Sequence, residues 1–294
     1  MQMSQTRLFI FVEGWSDTFF YSSLAALHCN PGGLRYELAT PKALPGSAFG
    51  KPALLEFFEF LRKRRGLLTN LGRKKTAVLF CLDKDVDDLR RVLKKSPHVS
   101  YTEYCDIENY LFIHGDLAKA GASAAALDIE LVRGSIGDPT AWRRSKAHAW
   151  KTWATFCLLS QLYDLRGPCT YGQRASLVNT DGFGDDHVPS VNAMLATLRV
   201  ASGLSARDFG AALSRIVRRV NRIYAAGQWD RVFKGKWYSG WLARDLARVA
   251  GTRPINANGL DMRVRDGLVL TLDFNAEWTA TLRGRLNTIV AMVS

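Results

Sequence analysis

Three short stretches of this chain place acidic residues at spacings that could do chemistry. "RLFIFVEGWSD" ends with Glu13, Gly14 and Asp17; "CLDKDVDD" carries Asp83 and Asp85; "DIEN" carries Asp106 and Glu108. Carboxylates brought close together repel, and removing them from water is costly unless a cation lies between them. Hard oxygen donors of this kind suit Mg²⁺ or Mn²⁺, not zinc. Two such ions about 4 Å apart are a common device for in-line attack on a phosphodiester.

The surrounding sequence supplies elements that could bring these acids together. "TRLFIFV", "LRYELAT" and "KTAVLFCLD" are short apolar runs with polar boundaries, which predicts buried strands, and "VSYTEYC" predicts a fourth. Between them, "SDTFFYSSLAALH" predicts a helix capped by Ser16 or Asp17, "KPALLEFFEFLRKRRG" a second, and residues 86–95 a third. Strands separated by helices predict an α/β fold: a parallel sheet flanked by helices. Glu13, the Asp83/Asp85 pair and the Asp106/Glu108 pair then follow successive strand ends, the edge where ligands collect in such sheets. If strand geometry continues past Leu82, Asp83 and Asp85 point to the same side. Residues 116–233 predict a helical insertion, rich in Ala, Leu, Trp and Arg. Residues 234–294 predict a C-terminal helical segment that returns to a catalytic domain over 1–115.

Each acid also has an ordinary structural role open to it. Glu13 could be steadied by a helix dipole, Asp17 could cap its helix, and "DIEN" could cap the helix carrying "YLF". Glu108 is the preferred ligand of its pair, while Asp87 and Asp88 read as the solvated first turn of a helix. In "FKGKWYSG", Lys236 precedes a helix and could neutralise charge developing on a phosphate, with Lys234 an alternative. Lys51, after the glycine-bearing loop "PGSAFG", is a weaker phosphate candidate. "DGFGDDH" offers Asp185, Asp186 and His187 as a rival metal site, although turn-rich loops of this composition are common. Neither a G-x-S-x-G nor a Walker A pattern occurs, which argues against ATP hydrolysis by this chain alone.

Composition narrows the partners. A formal net charge of +13 over 294 residues, with a pI near 9.7, points to a polyanion. Basic clusters include Arg64 and Arg65, Lys74 and Lys75, Arg143 and Arg144, and "RRVNR" at 218–222. They could line a nucleic-acid track, with Trp142, Trp150 and Trp153 as stacking platforms, although the helical spacing of the tryptophans reads more readily as core. The five cysteines show no C-x-x-C spacing, which fits a reducing compartment. No apolar run approaches membrane-spanning length, so the expected location is cytoplasmic.

The order E-G-x-x-D, D-x-D, D-I-E-N resembles the Toprim fold of topoisomerases, bacterial primases and the nucleases of the overcoming-lysogenization-defect group. "VEGWSD" followed by "DIENYLF" is similar, more narrowly, to the DUF4435 group of Toprim-like nucleases. The resemblance covers residues 1 to about 115 and extends to the "GKW" helix near residue 236. It implies a Mg²⁺- or Mn²⁺-dependent endonuclease, a toxin-like anti-phage effector that cleaves host tRNA or DNA under the control of an ABC-type ATPase partner. Glu13, Asp17, Asp83, Asp85 and Glu108 would hold about two ions, with Lys236 beside them. Homodimerisation stays open, as does the alternative of a non-catalytic basic module that docks nucleic acid or a partner.

Overall fold

The computed structural model describes residues 6–43, 50–72, 74–165, 169–172, 188–253, 255, 256 and 258–293. In chain order the elements begin β1 (Leu8–Val12), α1 (Trp15–Cys29), β2 (Tyr36–Ala39), α2 (Gly50–Lys63), β3 (Leu68–Leu71), β4 (Lys74–Leu82), α3 (Asp87–Arg90), β5 (Val99–Tyr101) and α4 (Ile107–His114). Then follow α5 (Leu117–Ala125), α6 (Ile129–Ile136), α7 (Pro139–Ala149), α8 (Lys151–Leu162), α9 (Val188–Ser202), α10 (Ala206–Ala225), α11 (Gly235–Ala250), α12 (Leu260–Val269) and α13 (Ala280–Val293). The fold is α/β, as the alternation of strand and helix patterns predicts. The chain forms two compact units: residues 1–84, 93–102 and 273–294, and residues 85–92 and 103–272. The sequence boundaries at 115 and 233 do not coincide with these divisions. No helix among the described residues is long and apolar enough to cross a membrane.

The first unit is built on a five-stranded sheet. β1, β2, β4 and β5 run parallel. β1 lies along one side of β4, in register from Leu8↔Ala77 to Val12↔Cys81. The other side of β4 is divided: β3 pairs antiparallel with its first residues, and β5 pairs parallel with Phe80–Leu82. β3, formed by "LTNL", is an addition to the strands expected from sequence. Its four residues are too short for a clear alternation.

Period-two alternation divides the apolar residues between two faces. Phe11, Val78, Phe80 and Leu82 join Leu54 and Phe58 of α2 in one core, where Phe11 and Phe80 stack with centroids 5.3 Å apart. Ile10, Leu79 and Cys81 face the other way, with Tyr21 and Leu24 of α1 and Leu282 and Leu286 of α13 around a small apolar void. Both faces are therefore covered, as a parallel sheet requires.

The second unit is helical. Aspartates cap four of its helices: Asp106, Asp116, Asp128 and Asp138 each accept a backbone N–H from the first turn of α4, α5, α6 and α7. Its core holds Trp150, Phe233, Trp237 and Tyr238, each at most 1% exposed. Trp142 and Trp153 are buried too, which settles the tryptophans as core. Asp230 sits in this core, accepting from Arg143 Nη1 at 3.0 Å, Asn109 Nδ2 at 3.1 Å and Tyr238 Oη at 2.9 Å. A buried carboxylate is tolerable when its lone pairs are so engaged.

Two local expectations need correction. The helix expected over 86–95 is a single turn, because Arg91 takes a left-handed conformation at φ 61° and ends it. Its acids are not a solvated face: Asp87 is buried, and Asp88 Oδ2 accepts from Arg231 Nη2 at 2.6 Å.

Candidate carboxylate site

Within the sheet unit, Glu13 and Asp83 follow the carboxyl ends of the neighbouring strands β1 and β4. Glu13 Oε1 accepts the backbone N–H of Asp83 at 2.8 Å, although the two are 70 residues apart in sequence. Glu13 is half-buried, while Asp83 and Asp17 are 7% and 5% exposed. The helix cap expected at Ser16 or Asp17 falls instead on Gly14, whose extended backbone opens α1. Asp17 stands in the first turn and reaches back: its Oδ2 accepts the Gly14 N–H at 3.0 Å and its Oδ1 accepts from Ser16 Oγ at 3.0 Å. Asp17 also lies near enough to β4 that its charge, after burial itself, helps push the Cys81 thiol well above its usual range.

Strand geometry does not continue to Asp85. β4 stops at Leu82, whose carbonyl accepts the Thr102 N–H, and Lys84 N–H donates to Thr102 Oγ1 at 2.8 Å. Asp85 then adopts φ 49°, so the simple two-residue alternation that would align it with Asp83 fails.

Within the helical unit lies a second group of acids, each facing cations. Asp85 Oδ1 is 3.2 Å from Lys234 Nζ. Glu108 is 1% exposed; its Oε1 lies 3.5 Å from Lys236 Nζ and 3.3 Å from Arg265 Nη1. Asp106 is fully buried, and its Oδ1 accepts from Gly235 N–H at 2.9 Å and Asn109 N–H at 3.2 Å. Burial, followed by the neighbouring Glu108 charge, raises its pKa to about 7 against the opposing pull of Lys234, Lys236 and the Gly235 N–H. Asp106 Oδ2 and Glu108 Oε2 are buried without a hydrogen-bond partner among the described residues. Gly235 explains the "GKW" sequence: a Cβ there would stand 2.1 Å from Asn109 N and 2.2 Å from Glu108 C.

Lys234 caps α11 and Lys236 is its second residue, so Lys236 does not precede the helix as expected. Of the two, the Lys236 side chain is the more exposed, at 42% against 13%. Arg265 escaped the sequence reading because α12 was not expected there, yet Leu260, Val264 and Leu268 carry the i, i+4, i+8 spacing that could have revealed it.

Among the described residues, no three His, Cys, Asp or Glu side chains are gathered so as to hold one ion. Donor chemistry still suits a hard ion, since Mg²⁺ is commonly held by one or two carboxylates with water and substrate phosphate completing its shell. The rival "DGFGDDH" loop and the "PGSAF" segment lie outside the described residues.

Of the expected nucleic-acid contacts, Arg64, Arg65, Lys74, Lys75 and Arg144 are exposed; Arg64 lies over the Phe60 ring at 4.6 Å. Arg143 does not belong with them: it is 6% exposed and ion-paired to Asp230, so its guanidinium is spent inside the core. Comparison with known proteins finds no family model and no curated protein that matches the chain.

Proposed function

We propose that this chain is a divalent-metal-dependent phosphodiesterase acting on nucleic acid, in which Glu13 and Asp83 offer carboxylates to the ion, Asp17 adds negative charge beside them, and water and substrate phosphate complete the ion's shell. The observation that carries the reading is the Glu13–Asp83 hydrogen bond, which joins acids at two neighbouring parallel strand ends. When bound, Mg²⁺ or Mn²⁺ would polarise the phosphodiester and lower the pKa of an attacking water. The protein's own part is positioning. The Asp83 N–H orients the Glu13 carboxylate, the Gly14 N–H and Ser16 hydroxyl orient Asp17, and the apolar strands beneath keep the acids from scattering. Asp85 and Glu108 act differently in this reading, as anchors for Lys234, Lys236 and Arg265, cations suited to a polyanionic substrate. The Toprim resemblance extends the proposal to a toxin-like effector released by an ABC-type ATPase partner, with tRNA or DNA as its target.

Glu13→Gln tests the assignment, because the amide oxygen can still accept the Asp83 N–H while the ligand charge is gone. The expected result is a folded protein that has lost Mg²⁺-dependent cleavage and toxicity on expression; full cleavage by this variant removes the assignment. The exposed basic residues Arg64, Arg65, Lys74, Lys75 and Arg144 favour a second reading, a non-catalytic basic module. That reading requires salt-sensitive binding indifferent to EDTA, and no cleavage with any divalent metal.

A further inference from the structure

The helical unit carries a row of arginines that no carboxylate among the described residues neutralises. At about 100° and 1.5 Å per residue, Arg207, Arg215, Arg218 and Arg222 of α10 fall within an arc of about 80° and span about 22 Å of its length. All four are exposed. The opposite face, with Phe209, Ala212, Ile216, Val220 and Ile223, is buried, so the basic row is the solvent side of an amphipathic helix.

Two other exposed arginines of this unit are compensated. Arg133 pairs with Glu130, and Arg248 with Asp245 at 3.1 Å. On α10, Arg215 donates to the neutral Tyr163 hydroxyl at 3.1 Å, and among the described residues Arg207, Arg218 and Arg222 pair with no carboxylate. Asp208, the acid on the helix, is taken up by Ser205 at its N-cap. Four like charges along one face repel one another, and a polyanion relieves that repulsion while releasing its counterions.

We infer that the solvent face of α10 is a docking surface for the phosphate backbone of double-helical nucleic acid. A straight row on a rigid helix matches a rigid duplex. Single-strand sites depend on aromatic platforms for the bases, and the aromatics of α10, Phe209 and Tyr224, are both buried. The surface deepens the nuclease reading by naming where substrate is gripped, but it can be tested without cleavage.

The test measures binding of the full chain in EDTA to a labelled duplex of about 20 base pairs, as DNA and as fully paired RNA, over about 50–200 mM salt. Arg218→Gln with Arg222→Gln should flatten the slope of log K against log salt by about 1.8 on DNA, at about 0.9 per lost phosphate contact. A control with the same charge change on compensated arginines, Arg133→Gln with Arg248→Gln, should leave the slope as in the wild type. An unchanged slope in the α10 variant overturns the inference, as does an equal change in the control, which would mean that only net charge matters. Equal α10 dependence on a single strand, or on anionic phospholipid vesicles in place of duplex, overturns it as well. Cleavage measured separately with Mg²⁺ tells the two ideas apart, since α10-dependent binding without cleavage removes only the nuclease reading.

Discussion

Replacing Gly235 with alanine probes how tightly the "GKW" turn is held against α4. The added Cβ would meet Asn109 N at 2.1 Å, Glu108 C at 2.2 Å and Asp106 Oδ1 at 2.7 Å. Two of these are backbone atoms, which no rotamer change can move aside, so the start of α11 must shift away from α4. That shift breaks the Gly235 N–H bond to Asp106, a bond to an acidic group that contributes about 1.5–3 kcal/mol. Strain from forcing an extra methyl into a packed interior adds about 1–3 kcal/mol, for a total loss of about 2.5–6 kcal/mol. Urea unfolding followed by tryptophan fluorescence reads this unit well, because six of the eight tryptophans lie in residues 103–272. Gly210 is the control: inside α10 a Cβ there meets nothing within 4 Å. Gly210→Ala should therefore gain about 0.5–1 kcal/mol from helix propensity. A Gly235→Ala loss below about 1 kcal/mol, or a shift like that of Gly210→Ala, would refute the close-approach argument.

Further outcomes follow from the buried polar groups. Asp230→Ala leaves the Arg143 guanidinium uncompensated in the core and should cost about 3–5 kcal/mol in the same urea assay. Asp106 has a folded pKa of about 7, above the ordinary carboxylate value, so the folded state holds its proton more tightly than the unfolded one. Stability from this group is present at low pH and is lost as pH rises from about 4 through 7, and Asp106→Asn should flatten that decline in unfolding midpoints. All five cysteines are buried and free, with Cys29 raised by burial to about 11. A thiol reagent at neutral pH should find almost none reactive in the native protein and all five once unfolded.

The sheet was legible in the sequence because its strands are short apolar runs between turn signals, and β1, β2, β4 and β5 all fall where those runs lie. Glu13 and Asp83 were likewise legible, since a carboxylate after an apolar strand must sit at the strand's end. Asp85 was not, because a left-handed residue after β4 leaves no mark in local composition. Arg143 shows a similar limit: "WRRSK" looks like a solvated basic run, and only tertiary structure puts Asp230, 87 residues away, against the first of its arginines. Burial of a charge is decided by a partner distant in sequence, which a local pattern cannot report.

The covering of the sheet has a consequence for biosynthesis. Leu282 and Leu286 of α13 close the face on which Ile10, Leu79 and Cys81 lie, yet that helix is made about 180 residues after β5. At about 5–20 residues per second, the ribosome needs on the order of ten to thirty seconds to reach it. Throughout that interval the nascent strands present an uncapped greasy surface, and nascent-chain chaperones have their longest opportunity to engage this protein there.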